Sequence, residues 1–210
     1  MIVLHYTAMP DWRRARDWLC NPAAEVSAHY IISPQGEIVL LVPEDQRAWH
    51  AGAGAWGDIT DVNSRSIGIE LSNDGSSPFA APLMDALEGL MQQIMARWDI
   101  PAHHVIAHSD LAPGRKIDPG AKFDWARLVQ AGQAIAARPT PQRMLDGPMF
   151  LRDLQQVGYT ATVDPDILLS AFRMRHRQGH TGPLDGTDCA IAADLAARFP
   201  FCIDRSVFTS

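Results

Sequence analysis

The chain has 210 residues, 47% of them hydrophobic and 20% charged, with a formal net charge of −6. That suffices for one domain of usual size plus a small second one, and the acidic balance argues against a nucleic-acid partner, which selects for clustered Lys and Arg. Three well-separated cysteines, Cys20, Cys189 and Cys202, with no Cys-x-x-Cys spacing, argue against a disulfide framework or an all-cysteine zinc site.

No run approaches the roughly 20 apolar residues of a membrane span. The start, Met-Ile-Val-Leu-His, lacks a basic n-region and a long apolar h-region, so the chain as written reads as cytoplasmic, and as periplasmic if a leader has been removed. Ile2 to Thr7 is apolar and β-prone, a buried strand with His5 near its end. Taken alone, His5 reads as a satisfied core histidine. Pro10 opens a helix with Trp12, Ala15, Arg16 and Leu19 at helical spacing, and Asn21-Pro22 stops it. Val26 to Ser33 and Glu37 to Val42 read as two strands around the hairpin signal Pro34-Gln35-Gly36, with His29 on the first.

Gln46 to Gly57 is a glycine-rich loop carrying Trp49, His50 and Trp56. It reads equally as a groove wall that stacks on sugar or peptide and as a loop whose tryptophans plug the core. It is not a phosphate-binding loop, since no Gly-Lys-Ser/Thr follows. Ser66 to Leu71 reads as a strand buried on both faces, with Glu70 as a charge inside the apolar run. A buried carboxylate is costly unless paired, and its pKa rises, so such a misfit is a candidate for acid–base work. The competing reading is a salt-bridged strand residue.

Pro82 begins a long helix whose inward face carries Leu83, Leu87, Leu90, Met91, Ile94 and Trp98, the methionines as core filling. Ile100-Pro101 ends it, His103 and His104 read as exposed loop residues, and Val105-Ile106-Ala107 is a strand. The stretch from His108 to Gly120 then sets His108, Lys116 and Asp118 in one loop punctuated by Pro113-Gly114 and Pro119-Gly120. Histidine and carboxylate are zinc-type ligands, and a strand end holds the first of them still. From spacing alone the stretch also reads as a turn with a surface histidine and aspartate.

A short helix is predicted from Asp124 to Val129, and Arg138-Pro139-Thr140-Pro141 marks a linker. Three further helices are expected: one around Phe150, Leu151, Leu154 and Val157, one from Pro165 to Arg177 with Leu168, Leu169 and Phe172 inward, and an Ala-rich one from Asp188 to Phe199. Arg173, Arg175, His176 and Arg177 give the second a basic end, read as a solvated face.

Taken in order, His5-Tyr6-Thr7, Ser27-Ala28-His29-Tyr30, Trp49-His50-Ala51-Gly52, Ser66 to Leu71, and His108-Ser109-Asp110 through Asp118-Pro119-Gly120 resemble the zinc-dependent N-acetylmuramoyl-L-alanine amidases of the amidase-2 type, relatives of the peptidoglycan recognition proteins. The resemblance covers roughly residues 1 to 130 by eye. Its most specific part is Pro113-Gly114-Arg115-Lys116-Ile117-Asp118-Pro119-Gly120. It implies an α/β fold with a mixed central sheet flanked by helices and a zinc groove at its edge. It implies one zinc ion on His5, His108 and Asp118, Glu70 as the catalytic carboxylate, and Lys116 as the group that stabilises the oxyanion. Trp49, His50, Asn73 and Arg115 are the expected substrate-binding residues.

The chain then divides into an amidase domain at 1–131, a linker at 132–142 and, at 143–210, a small three-helix domain that resembles peptidoglycan-binding modules more loosely. The implied partner is peptidoglycan or a muropeptide, with no nucleic acid, no membrane span and no indication of oligomeric state. The implied reaction is hydrolysis of the amide between the lactyl group of muramic acid and L-alanine. A noncatalytic peptidoglycan-binding protein is the alternative, and it would lack a ligand or Glu70. A zinc peptidase would carry a His-Glu-x-x-His helix, which is absent.

Overall fold

In the computed structural model, residues 1–201 are described, so Cys202 and the tail of the expected third part lie outside the described residues. Five strands, β1 (Ile2–Tyr6), β2 (Tyr30–Ile32), β3 (Ile38–Leu40), β4 (Ile67–Leu71) and β5 (Val105–Ala107), form one sheet in the order β3-β2-β4-β1-β5. All neighbours are parallel except β2 and β3, which make an antiparallel edge hairpin. The sheet is therefore mixed, as expected. The hairpin strands are shorter than the sequence suggests, because only three residues of each pair.

Strand alternation explains how one sheet serves two cores. Ile2 and Leu4 of β1, Ile67, Ile69 and Leu71 of β4, and Val105 and Ala107 of β5 face one side. There they meet helix α2 (Ala81–Trp98), which buries Leu83, Met84, Leu87, Leu90, Met91 and Ile94. Trp98, expected on that inward face, is half-exposed instead. Val3 and Ile106 point to the opposite side, into a second core. His5, Gly68 and Glu70 share their alternation, so the sites of interest ride on the second face near the carboxyl ends of the parallel strands, where open α/β sheets place their ligands.

The second core is not made by the first 131 residues alone. It joins Val3, Trp56, Ile106 and Leu111 to Phe150 and Leu154 of α5 (Gly147–Val157), Phe172 of α6 (Pro165–His176) and Leu195 of α7 (Gly186–Arg198). The Trp56 and Tyr159 rings meet edge-to-face at 4.8 Å. Gly158 lets this happen: a Cβ there would lie 2.5 Å from the Trp56 ring. Backbone also crosses the seam, Gly57 N–H donating to Gly158 O at 2.8 Å. The linker is only partly free. Its start, Gln133 to Ile135, is buried, whereas residues 138–146 are exposed.

The basic end of α6 does not face solvent as expected. Arg173 and Arg175 are 5% and 6% exposed and carry buried ion pairs to Asp188 and Asp110. Helix periodicity explains the difference: Leu168, Phe172 and Arg175 lie at i, i+4 and i+7, so Arg175 belongs to the inward stripe. Among the described residues no helix is long and apolar enough to cross a membrane.

Candidate metal centre and groove

His5 is the penultimate residue of β1, beside Glu70 in register on β4. His108 begins a single buried helical turn, α3 (His108–Leu111), directly after β5. The Pro-Gly spacing predicts a loop here; the turn forms because Asp110 Oδ2 accepts the Ala107 N–H at 2.9 Å and closes it. Ser109 N–H in turn donates to Asp118 O at 3.0 Å, so the same turn holds the third residue of the set.

His5 Nδ1, His108 Nδ1 and Asp118 Oδ2 form a triangle with every side 2.9 Å. All three residues are buried. Their partners assign the ring tautomers. Ser66 Oγ–H donates to Val62 O at 2.6 Å, which leaves its oxygen to accept from His50 Nε2–H at 3.3 Å. His50 Nδ1 is then an acceptor, and His5 Nε2–H donates to it at 3.0 Å. His108 Nε2–H donates to Ala51 O at 2.8 Å. Both Nδ1 atoms therefore carry lone pairs, turned toward one carboxylate oxygen. Burial, then the neighbouring His108, push His5 down to about 4, and burial with three nearby histidines holds His50 well below its usual value, so both rings are neutral at pH 7. Two imidazole nitrogens and a carboxylate oxygen that converge in this way form a donor set that could hold a metal ion.

His50, expected to bind substrate, lines the cavity with both ring nitrogens engaged, Nδ1 by His5 and Nε2 by Ser66. Gly68 makes room for it: a Cβ there would lie 2.4 Å from the His50 ring. Asn63 Oδ1 fixes the loop by accepting from His50 N–H and Ala51 N–H at 3.0 and 2.8 Å. His29 is a satisfied core histidine. Its Nδ1 accepts from Gly68 N–H and its Nε2–H donates to Gln46 O, both at 3.0 Å.

Glu70 is partly buried, and its Oε2 is wholly buried with no hydrogen-bond partner. Burial foremost, with Asp118 adding to it and Lys116 opposing, pushes its carboxyl up to about 8. The salt-bridged alternative is not what the structure holds: no ion pair to Glu70 occurs among the described residues.

A cavity of about 490 Å³ opens over the triangle, with Glu70, Lys116 and Arg115 on its wall. Its rim is unusually apolar for a surface. Trp18, Trp49 and Ile117 are 54%, 57% and 59% exposed there. The two readings of the tryptophan loop each hold for one residue: Trp49 walls the groove, under the Arg47 guanidinium at 4.5 Å, and Trp56 plugs the core at 1% exposure. Arg115 Nη2 donates to Ala51 O at 2.7 Å and also reaches Ala53 O, which ties the loop of Lys116 and Asp118 to the tryptophan loop. Asn73 is not brought to the groove with the other expected substrate-binding residues. Its amide closes its own loop, Nδ2 donating to Ser77 O and Oδ1 accepting from Gly75 N–H, and it does not line the cavity.

The chain matches the family model described as N-acetylmuramoyl-L-alanine amidase, Amidase_2, over residues 1–121. It is 34% identical over 235 residues to the N-acetylmuramoyl-L-alanine amidase AmiD of Escherichia coli, covering 95% of this chain and 83% of that one. It is 40% identical over 145 residues to the 1,6-anhydro-N-acetylmuramyl-L-alanine amidase AmpD of the same organism, covering 61% of this chain and 79% of that one. In three dimensions it resembles E. coli AmiD in complex with the substrate anhydro-N-acetylmuramic acid-L-Ala-D-gamma-Glu-L-Lys, with a TM-score of 0.86 at 33% identity, covering 95% of this chain and 89% of that one.

Proposed function

The chain belongs to the N-acetylmuramoyl-L-alanine amidase family, Amidase_2, and from that premise we propose that it is a zinc hydrolase that cleaves the amide between the lactyl group of N-acetylmuramic acid and L-alanine in muropeptides or peptidoglycan. The observation that carries this reading is the triangle of His5, His108 and Asp118 donor atoms beside the unpartnered Glu70 carboxyl.

His5 Nδ1, His108 Nδ1 and Asp118 Oδ2 would hold the ion. Bound there, zinc would supply Lewis-acid activation of a water and of the scissile carbonyl. The protein's own groups do the rest. Glu70 takes the proton of the attacking water and delivers it to the leaving L-alanine nitrogen. Its raised pKa suits the second step; Lys116, and a cation in the triangle, pull it down toward the first. The Lys116 ammonium on the cavity wall offsets charge that develops on the carbonyl oxygen. Trp18, Trp49 and Ile117 give sugar and peptide apolar surface to lie on, and Arg115 keeps the two loops of the groove together.

The reacting groups all fall within residues 1–131, and residues 143–201 form the helical part against which they rest. The noncatalytic alternative requires a missing ligand or a missing Glu70, and neither occurs. Mass spectrometry of products from a soluble anhydro-muropeptide, with and without chelator, tests the proposal. Release of intact stem peptide by the zinc-loaded protein is the expected result, and an unchanged substrate, or cleavage within the peptide, defeats it.

A further inference from the structure

The most completely buried carboxylate near the metal centre is not one of its ligands. Asp110 is 0% exposed and lies two residues after His108, in the same helical turn. Its Oδ2 accepts from Ala107 N–H at 2.9 Å and so closes that turn. Every further partner comes from the C-terminal helical part. Arg175 Nη1 donates to Oδ2 at 2.6 Å, and Tyr159 O–H donates to Oδ1 at 2.8 Å. Arg175 Nη2 donates to Val105 O at 2.7 Å, on the strand that leads into His108. The guanidinium lies 4.6 Å from the Trp125 ring centroid, so it is fixed in plane as well as by charge.

The turn that this cluster grips sets two of the three ligands: His108 by being its first residue, and Asp118 through the Ser109 N–H to Asp118 O bond of 3.0 Å. Altering groups behind a metal site that orient its ligands typically costs about 10–100-fold in metal affinity.

We propose that Arg175 and Tyr159 are positioning residues for the metal centre: through Asp110 they hold the His108 turn, so the helical part preorganises the site instead of serving only as a separate cell-wall anchor. The inference rests on the metal reading above. It assigns to residues beyond 143 a role in the hydrolytic centre that the catalytic set of residues 1–131 does not disclose. Paired by one guanidinium, one phenol and one backbone N–H, Asp110 keeps a single rotamer. With Arg175 removed it is a buried carboxylate short of its charged partner, and the turn must shift to bring it toward water.

The test measures zinc binding itself, by competition of zinc with a chromophoric chelator, on the full-length protein and four variants. Arg175→Met and Tyr159→Phe should weaken zinc affinity on the order of 10–100-fold, and Arg175→Lys should recover part of the loss. Leu195→Val, in the same shared core but outside the hydrogen bonds of Asp110, should lower Tm yet bind zinc as the wild type does. Unchanged zinc affinity in Arg175→Met and Tyr159→Phe overturns the proposal. So does an equal loss in Leu195→Val, which would make the effect one of general packing. Should Arg175→Met not fold, Tyr159→Phe and Arg175→Lys decide, and wild-type affinity in both overturns it. A wild-type protein that binds no zinc defeats the metal reading itself, a result distinct from either.

Discussion

His5 Nδ1 and His108 Nδ1 lie 2.9 Å apart, and in neutral rings whose Nε2–H groups are donated to His50 and Ala51 neither has a hydrogen to offer the other. The His5 tautomer is set through His50 and Ser66 by the carbonyl of Val62, and that of His108 by the carbonyl of Ala51. Two lone pairs at that distance repel, so the metal-free site is held together by its surroundings, and a cation relieves it. Zinc should therefore raise Tm. At zinc a thousandfold above its Kd the gain is about 4 kcal/mol, readable by scanning calorimetry with and without chelator. A Tm indifferent to zinc would contradict the assignment.

Glu70 is the residue on which turnover should depend most apart from the ligands. Glu70→Gln keeps the side-chain volume and removes the proton carrier. Hydrolysis should fall by ~10²–10⁴-fold while bound zinc, measured by metal analysis, stays at the wild-type level. Wild-type turnover in the Gln variant would make Glu70 a structural residue.

The relay to His5 makes a remote serine part of the site. Ser66→Ala removes the hydroxyl that accepts from His50 Nε2–H, at a cost of ~1–3 kcal/mol, and loosens the hold on the His50 tautomer. In the other tautomer His5 would meet an N–H instead of a lone pair. Zinc affinity should drop about 10-fold or more although Ser66 touches no ligand. A chelator titration that matches the wild type would show that the tautomer of His50 is fixed by other means.

A pH effect separate from the site is expected from Glu44. Arg97, Tyr30 and Trp98 all donate to its carboxylate, from 2.5 to 3.1 Å. The Arg97 hydrogen bonds chiefly, against burial and with help from Tyr30 and Trp98, lower its pKa from 4.5 to about 2. The folded value is the lower one, so the stabilisation is fully present above pH 4.5 and fades as pH falls toward 2. Because Arg97 is half-exposed, screening limits it to about 1–2 kcal/mol. Urea unfolding of wild type and Glu44→Gln should thus differ at pH 7 and converge near pH 2; a constant gap would place the effect elsewhere.

The site residues legible in the sequence were those that broke a local pattern. Glu70 stood out as a charge inside an apolar strand, and His108 and Asp118 as ligand types bracketing two Pro-Gly turns. His50 is visible as a loop histidine, but its contacts with His5 and Ser66 are not, because they span residues 5, 50 and 66, which no local spacing encodes. The same limit hid the Asp110–Arg175 pair, 65 residues apart. One signal was present: Arg175 falls on the stripe of Leu168 and Phe172, and a charge at an inward position asks for a buried partner. A run of four basic residues drew the reading toward solvent instead.

That pair also changes what truncation should do. From the sequence, the Pro-containing linker suggests that a chain ending near Arg138 folds alone and loses only its grip on insoluble wall. In the structure the cut strips Phe150, Leu154, Phe172 and Leu195 from a core they share with Val3, Trp56, Ile106 and Leu111. It also leaves Asp110 without Arg175 and Tyr159. An uncovered apolar face of that kind drives aggregation, and the loosened turn weakens the metal site. The shortened chain should accordingly be poorly soluble, and whatever folds should lose activity on soluble muropeptide as well as on sacculi. A separable anchor predicts the opposite pattern: soluble-substrate turnover near that of the full chain, with only sacculus binding lost. A soluble-substrate assay and a sacculus pull-down on the same two proteins tell these apart, and full turnover by the shortened chain would show that residues 1–138 hold the His108 turn unaided.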